Sequence, residues 1–188
     1  MYSLILDKEV QMFVKNQAFT LYELLTTLVL VGLISSLAIP SFFGTLARQK
    51  QRVEIDALFH ALHLARKESI MRRKVVSLCP SLDLETCSPS RDWSSGWLMF
   101  ENKDRDSPPS IDPGEPVLAR HRVQEQVQIK ANRKGFTLRA TFLRATNGTF
   151  VVCDPEKRIL PKALVVSYTG RPRVASHTPK RELYSCAD

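Results

Sequence analysis

Residues 18–47 read AFTLYELLTTLVLVGLISSLAIPSFFGTLA, and between Glu23 and Arg48 the chain carries no charged side chain for 24 residues. As a helix, a run of that length crosses the roughly 30 Å of hydrocarbon in a bilayer. A secretory signal peptide has a shorter apolar core with a small-residue cleavage site behind it. Here the small residue stands in front of the apolar run, at Ala18–Phe19, after a short polar leader. Glu23 sits near the apolar end, where an unpaired charge is costly, and this makes it a functional candidate.

Beyond the apolar run the pattern predicts an amphipathic helix to about residue 73. Val53, Ala57, Ala61 and Leu64 recur at helical spacing, with Leu58, Leu62 and Ala65 alongside, and most of the basic residues fall outside this stripe. From Val75 the chain changes to short β-rich runs. Strands are predicted at 75–79, 96–100, 116–123, 127–131, 135–145, 149–153 and 162–168. An acidic loop spans 101–116, and Asn147–Gly148 marks a hairpin between the strands on either side of it. Phe136, Phe142 and Phe150 read as core. The fold class is α+β, with one long N-terminal helix packed on antiparallel sheets.

The chain has 188 residues and a formal net charge of +8, unevenly spread. Residues 101–115 carry five acids against two bases, whereas 119–173 carry twelve Lys/Arg against three acids. A basic half of this kind suits a polyanion, either nucleic acid or a membrane surface. No catalytic motif or Gly-rich phosphate loop appears, so no enzyme activity and no cofactor is expected. Neither CxxC nor HxxxH spacing occurs, and His60 and His63, three apart on a helix, read as surface or packing residues. No metal site is expected.

The leader, the Ala18–Phe19 junction, the apolar run and Glu23 together resemble the N-terminal signal of type IV pilins and pseudopilins. That resemblance implies a leader at 1–18 removed by a prepilin peptidase, with Phe19 as the methylated first residue. The family usually has Gly where this chain has Ala18, and both are small. The resemblance also implies a transmembrane helix at 19–46 and a periplasmic or extracellular domain at 47–188. Glu23 would assist assembly by meeting the N-terminal amine of a neighbouring pilin subunit, and Pro40 would kink the helix. The chain would first lie in the bacterial inner membrane and then reach the cell surface in a pilus.

Outside the membrane disulfides persist. Four cysteines allow three pairings. We favour Cys79–Cys87, closing a short loop, and Cys153–Cys186, tying the tail to a strand.

The segment Thr169–Gly170–Arg171–Pro172–Arg173 follows the last predicted strand. Gly170 allows a turn that other residues resist, and Pro172 biases Arg171 toward extended geometry. Two arginines two apart on extended chain project to the same side, where two guanidinium forks can engage neighbouring phosphates. Gly-Arg-x-Arg after NGTFVVCD and KALVVS resembles the FimT/GspH branch of minor pilins. In FimT, which serves DNA uptake in natural transformation, this motif binds DNA. The resemblance therefore implies contact to the phosphate backbone of DNA without sequence preference, through Arg171 and Arg173 with Gly170 as the turn. From charge alone Arg133, Lys134, Arg139, Arg144 and Lys162 are added as further contacts. Two rival readings give the chain a structural role only: a GspH-like pseudopilin of a type II secretion system, or a minor pilin that primes pilus assembly.

Overall fold

The computed structural model describes residues 19–140 and 144–186, with side chains except at 37–40. The leader with Ala18, Phe142, and the side chain of Pro40 lie outside the described residues.

Helix α1 (Leu21–Arg72) opens on a capping box. The Glu23 amide donates to Thr20 Oγ1 at 3.2 Å, and the Thr20 amide and hydroxyl both donate to Glu23 Oε2 at 2.9 Å. This pairing satisfies N–H groups that a helix start leaves open. The first part of α1 is long and apolar enough to cross a membrane by length and composition. The hydroxyls of Thr26, Thr27 and Ser36 bond within the helix, to the carbonyls of Glu23, Leu24 and Leu33.

From Ser41 onward the chain forms one compact unit. The strands are β1 (Val76–Pro80), β2 (Gly96–Glu101), β3 (Val117–Arg122), β4 (Gln128–Ala131), β5 (Phe136–Leu138), β6 (Gly148–Cys153), β7 (Lys162–Val166) and β8 (Pro172–Ala175). They make two four-stranded antiparallel sheets, ordered β3-β2-β1-β5 and β4-β6-β7-β8. Ile55, Leu58, Leu62 and Ala65 of α1 share one core with inward residues of both sheets. Strand β2 is buried on both faces, because Trp97 and Met99 join that core while Leu98 and Phe100 pack outward with Cys79. Disulfides join Cys79 to Cys87 and Cys153 to Cys186.

Several expectations need correction. The buried stripe of α1 is rotated from the predicted one. Val53 and Leu64 are exposed, whereas Gln51 and Glu54 are buried. Gln51 Nε2 donates to the carbonyls of Val152 and Leu160, and Glu54 accepts from the Gln124 amide and pairs with His121. A stripe read from hydrophobicity alone misses polar residues whose partners come from distant strands.

Asn147–Gly148 is not a hairpin. Strand β5 pairs with β1 in one sheet and β6 with β4 and β7 in the other, so the segment between them crosses from sheet to sheet. Gly148 lacks a positive φ. It is needed for space, since a Cβ there would stand 2.9 Å from the Phe136 ring and 2.6 Å from Asn132 Oδ1. Among the described residues the strand expected over 135–145 is Phe136–Leu138, and the last predicted strand ends at Val166 instead of 168. An unpredicted strand, β8, follows it.

Asp154 ends the β6 side of the turn into β7 and is nearly fully buried. Its two oxygens accept Arg158 Nε and Nη2 at 2.8 Å and the Arg158 amide at 2.9 Å. The Arg158 bonds hold its carboxyl below the ordinary value of 3.8. A depressed carboxylate stabilises the fold above its unfolded pKa, and that share is lost as pH falls through the folded one. Asp154→Asn should therefore cost about 1.5–3 kcal/mol at neutral pH. As pH falls below 3.8 the gap to wild type should narrow in urea titrations.

Candidate nucleic-acid interface

The Gly-Arg-Pro-Arg segment ends the turn and begins the second arm of a β7–β8 hairpin. Val166 pairs with Pro172 and Val165 with Arg173, leaving Ser167–Arg171 as the connection. The Ser167 amide donates to Arg171 O at 3.2 Å, the Gly170 amide donates to Ser167 O at 2.9 Å, and the Ser167 hydroxyl bonds Thr169 and Arg171. Gly170 has φ 71° and is buried, and a Cβ there would meet Arg66 Nη1 and Leu138 Cδ2, both at 3.1 Å. The backbone angle favours glycine, and the space left for a side chain is tight. Pro172 faces inward and is buried, while Arg171 and Arg173 are exposed. Arg171 closes the turn, and Arg173 stands on the strand opposite Val165.

Arg144 belongs with this hairpin. The Ala145 amide donates to Tyr168 O at 2.9 Å, and the Arg144 guanidinium lies over the Tyr168 ring, 5.4 Å from its centroid. Such cation–π contacts hold a guanidinium without neutralising it. Arg133 and Lys134 form a second basic group. They line a shallow groove of about 270 Å³ with Arg91, and Arg133 Nε donates to Asn147 O at 3.1 Å. Residues 144–147 thus link the two groups. Among the described residues no carboxylate lies within 4.0 Å of Arg171, Arg173, Arg144, Arg133 or Lys134.

The other candidates fall elsewhere. Lys162 begins β7, opposite Val152, and shares its surroundings with Arg48, Arg52 and Arg158. It lies at the far end of the strand from the hairpin connection, and the alternation of β7 gives it the face opposite Val165. Arg139 is half-buried, with its Nε enclosed and without a hydrogen-bond partner among the described residues.

Sequence reasoning passed over Arg66, Arg91 and Tyr168. Arg66 reads as one more polar helix position, and only the fold brings it against Gly170. Tyr168 is 56% exposed beside the motif, and adjacency alone was a usable signal.

Replacing Gly170 with Ala should destabilise the fold by about 1–3 kcal/mol, the range for a side chain held in the left-handed region. Equilibrium unfolding in urea measures this, and an unchanged midpoint would contradict the tight turn.

Comparisons with known proteins fit this architecture. Residues 54–170 match the family model described as type II transport protein GspH. No curated protein matches the sequence. Among solved structures, the type IV minor pilin FimU of Pseudomonas aeruginosa is 19% identical with a TM-score of 0.51, covering 68% of this chain and 90% of that one. The minor pseudopilin EpsH from the type 2 secretion system of Vibrio cholerae is 8% identical with a TM-score of 0.49, covering 67% of this chain and 96% of that one. FimU supports a shared fold. The family model spans more than half of the chain, and the protein therefore belongs to the GspH family of minor pilins and pseudopilins with the type IV pilin-like fold.

Proposed function

We propose that this protein is a minor pilin that binds extracellular DNA through Arg171 and Arg173 and serves DNA uptake in natural transformation. The observation that carries the reading is a hydrogen-bonded hairpin presenting two exposed arginines that have no acidic partner among the described residues, with the Arg144 guanidinium over the neighbouring Tyr168 ring. A guanidinium engages phosphate bidentately, and a fixed turn lowers the ordering cost of binding. The groove with Arg133 and Lys134 extends the contact along a backbone. Such contacts follow phosphates and read no bases. Lys162 is outside this proposed surface.

Residues 1–18 act as a leader removed by a prepilin peptidase, 19–46 anchor the chain in the inner membrane, and 47–188 face the periplasm and then the pilus surface. Glu23 serves assembly with other pilin subunits once Phe19 is the first residue. Several copies or neighbouring subunits at a filament tip add avidity to individually weak contacts. The family description favours one alternative, a structural pseudopilin of a type II secretion system without DNA contact.

A mobility-shift titration of the full-length chain in detergent, with non-specific duplex DNA, separates the two. We expect salt-sensitive binding, with each phosphate contact adding about 0.9 to the log–log slope against salt. Arg171→Gln with Arg173→Gln should weaken it at least tenfold while thermal unfolding stays unchanged, since exposed loop side chains contribute little stability. Absence of binding at low salt leaves the structural pseudopilin, and binding that survives the substitutions moves the site to the Arg91–Arg133–Lys134 groove.

A further inference from the structure

The first sheet ends on one side at β5 and on the other at β3. The β5 edge is occupied, because the Thr146 amide donates to Thr137 O at 2.9 Å. The β4 edge of the second sheet is likewise covered, by Arg91–Trp93, whose main chain bonds Ile129 and Ala131. Strand β3 is six residues long, and among the described residues no main-chain group pairs with its outer edge. An open edge of this length is a template for another strand unless it is defended.

The two faces of β3 differ. Met99 pairs with Ala119 and Trp97 with His121, so these four side chains share the face turned toward α1. There they floor an open groove of about 520 Å³, closed on the helix side by Ala57, Ala61 and Leu64 together with His60, His63 and Lys67. The groove also reaches β3 beside its open edge. On the opposite face Arg120 and Arg122 are exposed, two residues apart. Arg120 Nε is held by the Leu84 carbonyl at 3.0 Å, which fixes its guanidinium in place. No carboxylate among the described residues lies within 4.0 Å of either arginine.

From this edge we infer an interaction site for an extended segment of a partner protein in which acidic and apolar side chains alternate. The segment adds to β3 as a further strand. Main-chain bonds give affinity, and alternate side chains give specificity. Its apolar residues enter the groove over Trp97, Met99 and Ala119. Its acids stand across from Arg120 and Arg122 as cross-strand pairs, which favour opposite charge and penalise like charge. Charge complementarity selects the acidic partner, and alternation selects the extended form over a helix. The site is separate from the β7–β8 hairpin in the second sheet and does not depend on its function.

The test uses the full-length chain in detergent and labelled seven-residue peptides read by fluorescence anisotropy. One peptide alternates Glu with Val, one is a block-ordered version of equal composition, and one alternates Lys with Val. Wild type should bind the alternating acidic peptide at least tenfold more tightly than either other. Arg120→Glu with Arg122→Glu should reverse the preference, so that the Lys peptide binds the variant at least tenfold better than it binds wild type. Arg171→Gln with Arg173→Gln should leave acidic-peptide binding within twofold. The inference is overturned if wild type fails to bind the acidic peptide at millimolar concentration. It is equally overturned if the block-ordered peptide binds as well, or if the charge reversal leaves the preference unchanged. Circular dichroism of the reversed variant separates a lost fold from a lost site, and recovery by the Lys peptide requires a folded edge.

Discussion

Two phenylalanines from different sheets lie against each other in the core. Phe136 of β5 and Phe150 of β6 stack with ring centroids 4.2 Å apart, and Trp93 meets Phe150 edge-on at 4.9 Å. All three are fully buried. A cluster of this kind contributes area and specific ring geometry together, about 0.5–1.5 kcal/mol per aromatic pair beyond burial. Its geometric consequence is larger, because it fixes the relation of one sheet to the other. Gly148 is bare because the Phe136 ring passes where its side chain would be. The Trp93 amide bonds the Ile129 carbonyl, drawing the long connection after β1 onto the edge of the second sheet.

The helix is keyed to this arrangement by two polar side chains. Gln51 and Glu54 are buried within the C-terminal part of α1 and bond to groups from β6, the β6–β7 connection, and the residues in and after β3. Each would cost energy if left unpaired, so rotation or sliding of the helix is penalised by more than lost packing. Apolar contacts alone tolerate neighbouring registers. Buried hydrogen bonds do not, and they fix which face of α1 looks inward.

With helix and sheets fixed, the surface sorts by charge. The β7–β8 hairpin is shaped by Gly170, whose missing side chain admits the Arg66 guanidinium and Leu138 beneath the turn. Glu101 pairs with Lys74 at 2.6 Å, and other acids of the 101–115 region bond within it. Glu115 accepts the amides of Lys103 and Asp112, and Asp106 accepts Ser110. These bonds order the loop and hold Glu115 and Asp106 within their own segment.

The sequence by itself determined the long helix, the apolar run, the α+β class and most strand positions, because these rest on local periodicity and composition. What only the tertiary structure decided concerns residues whose neighbours lie far along the chain. Asn147–Gly148 carries the local signature of a turn, yet Gly148 answers to the Phe136 ring. Gln51 and Glu54 look like surface positions until the strands supply partners. Among the basic residues, sequence order grouped Lys162 with the hairpin arginines, and the antiparallel path of β7 carries it to the opposite end. Arg66 and Arg144 reach the hairpin from elsewhere for the same reason. Charge can be counted along a chain, but which charges share a face depends on strand parity and sheet order, and long-range pairing fixes both.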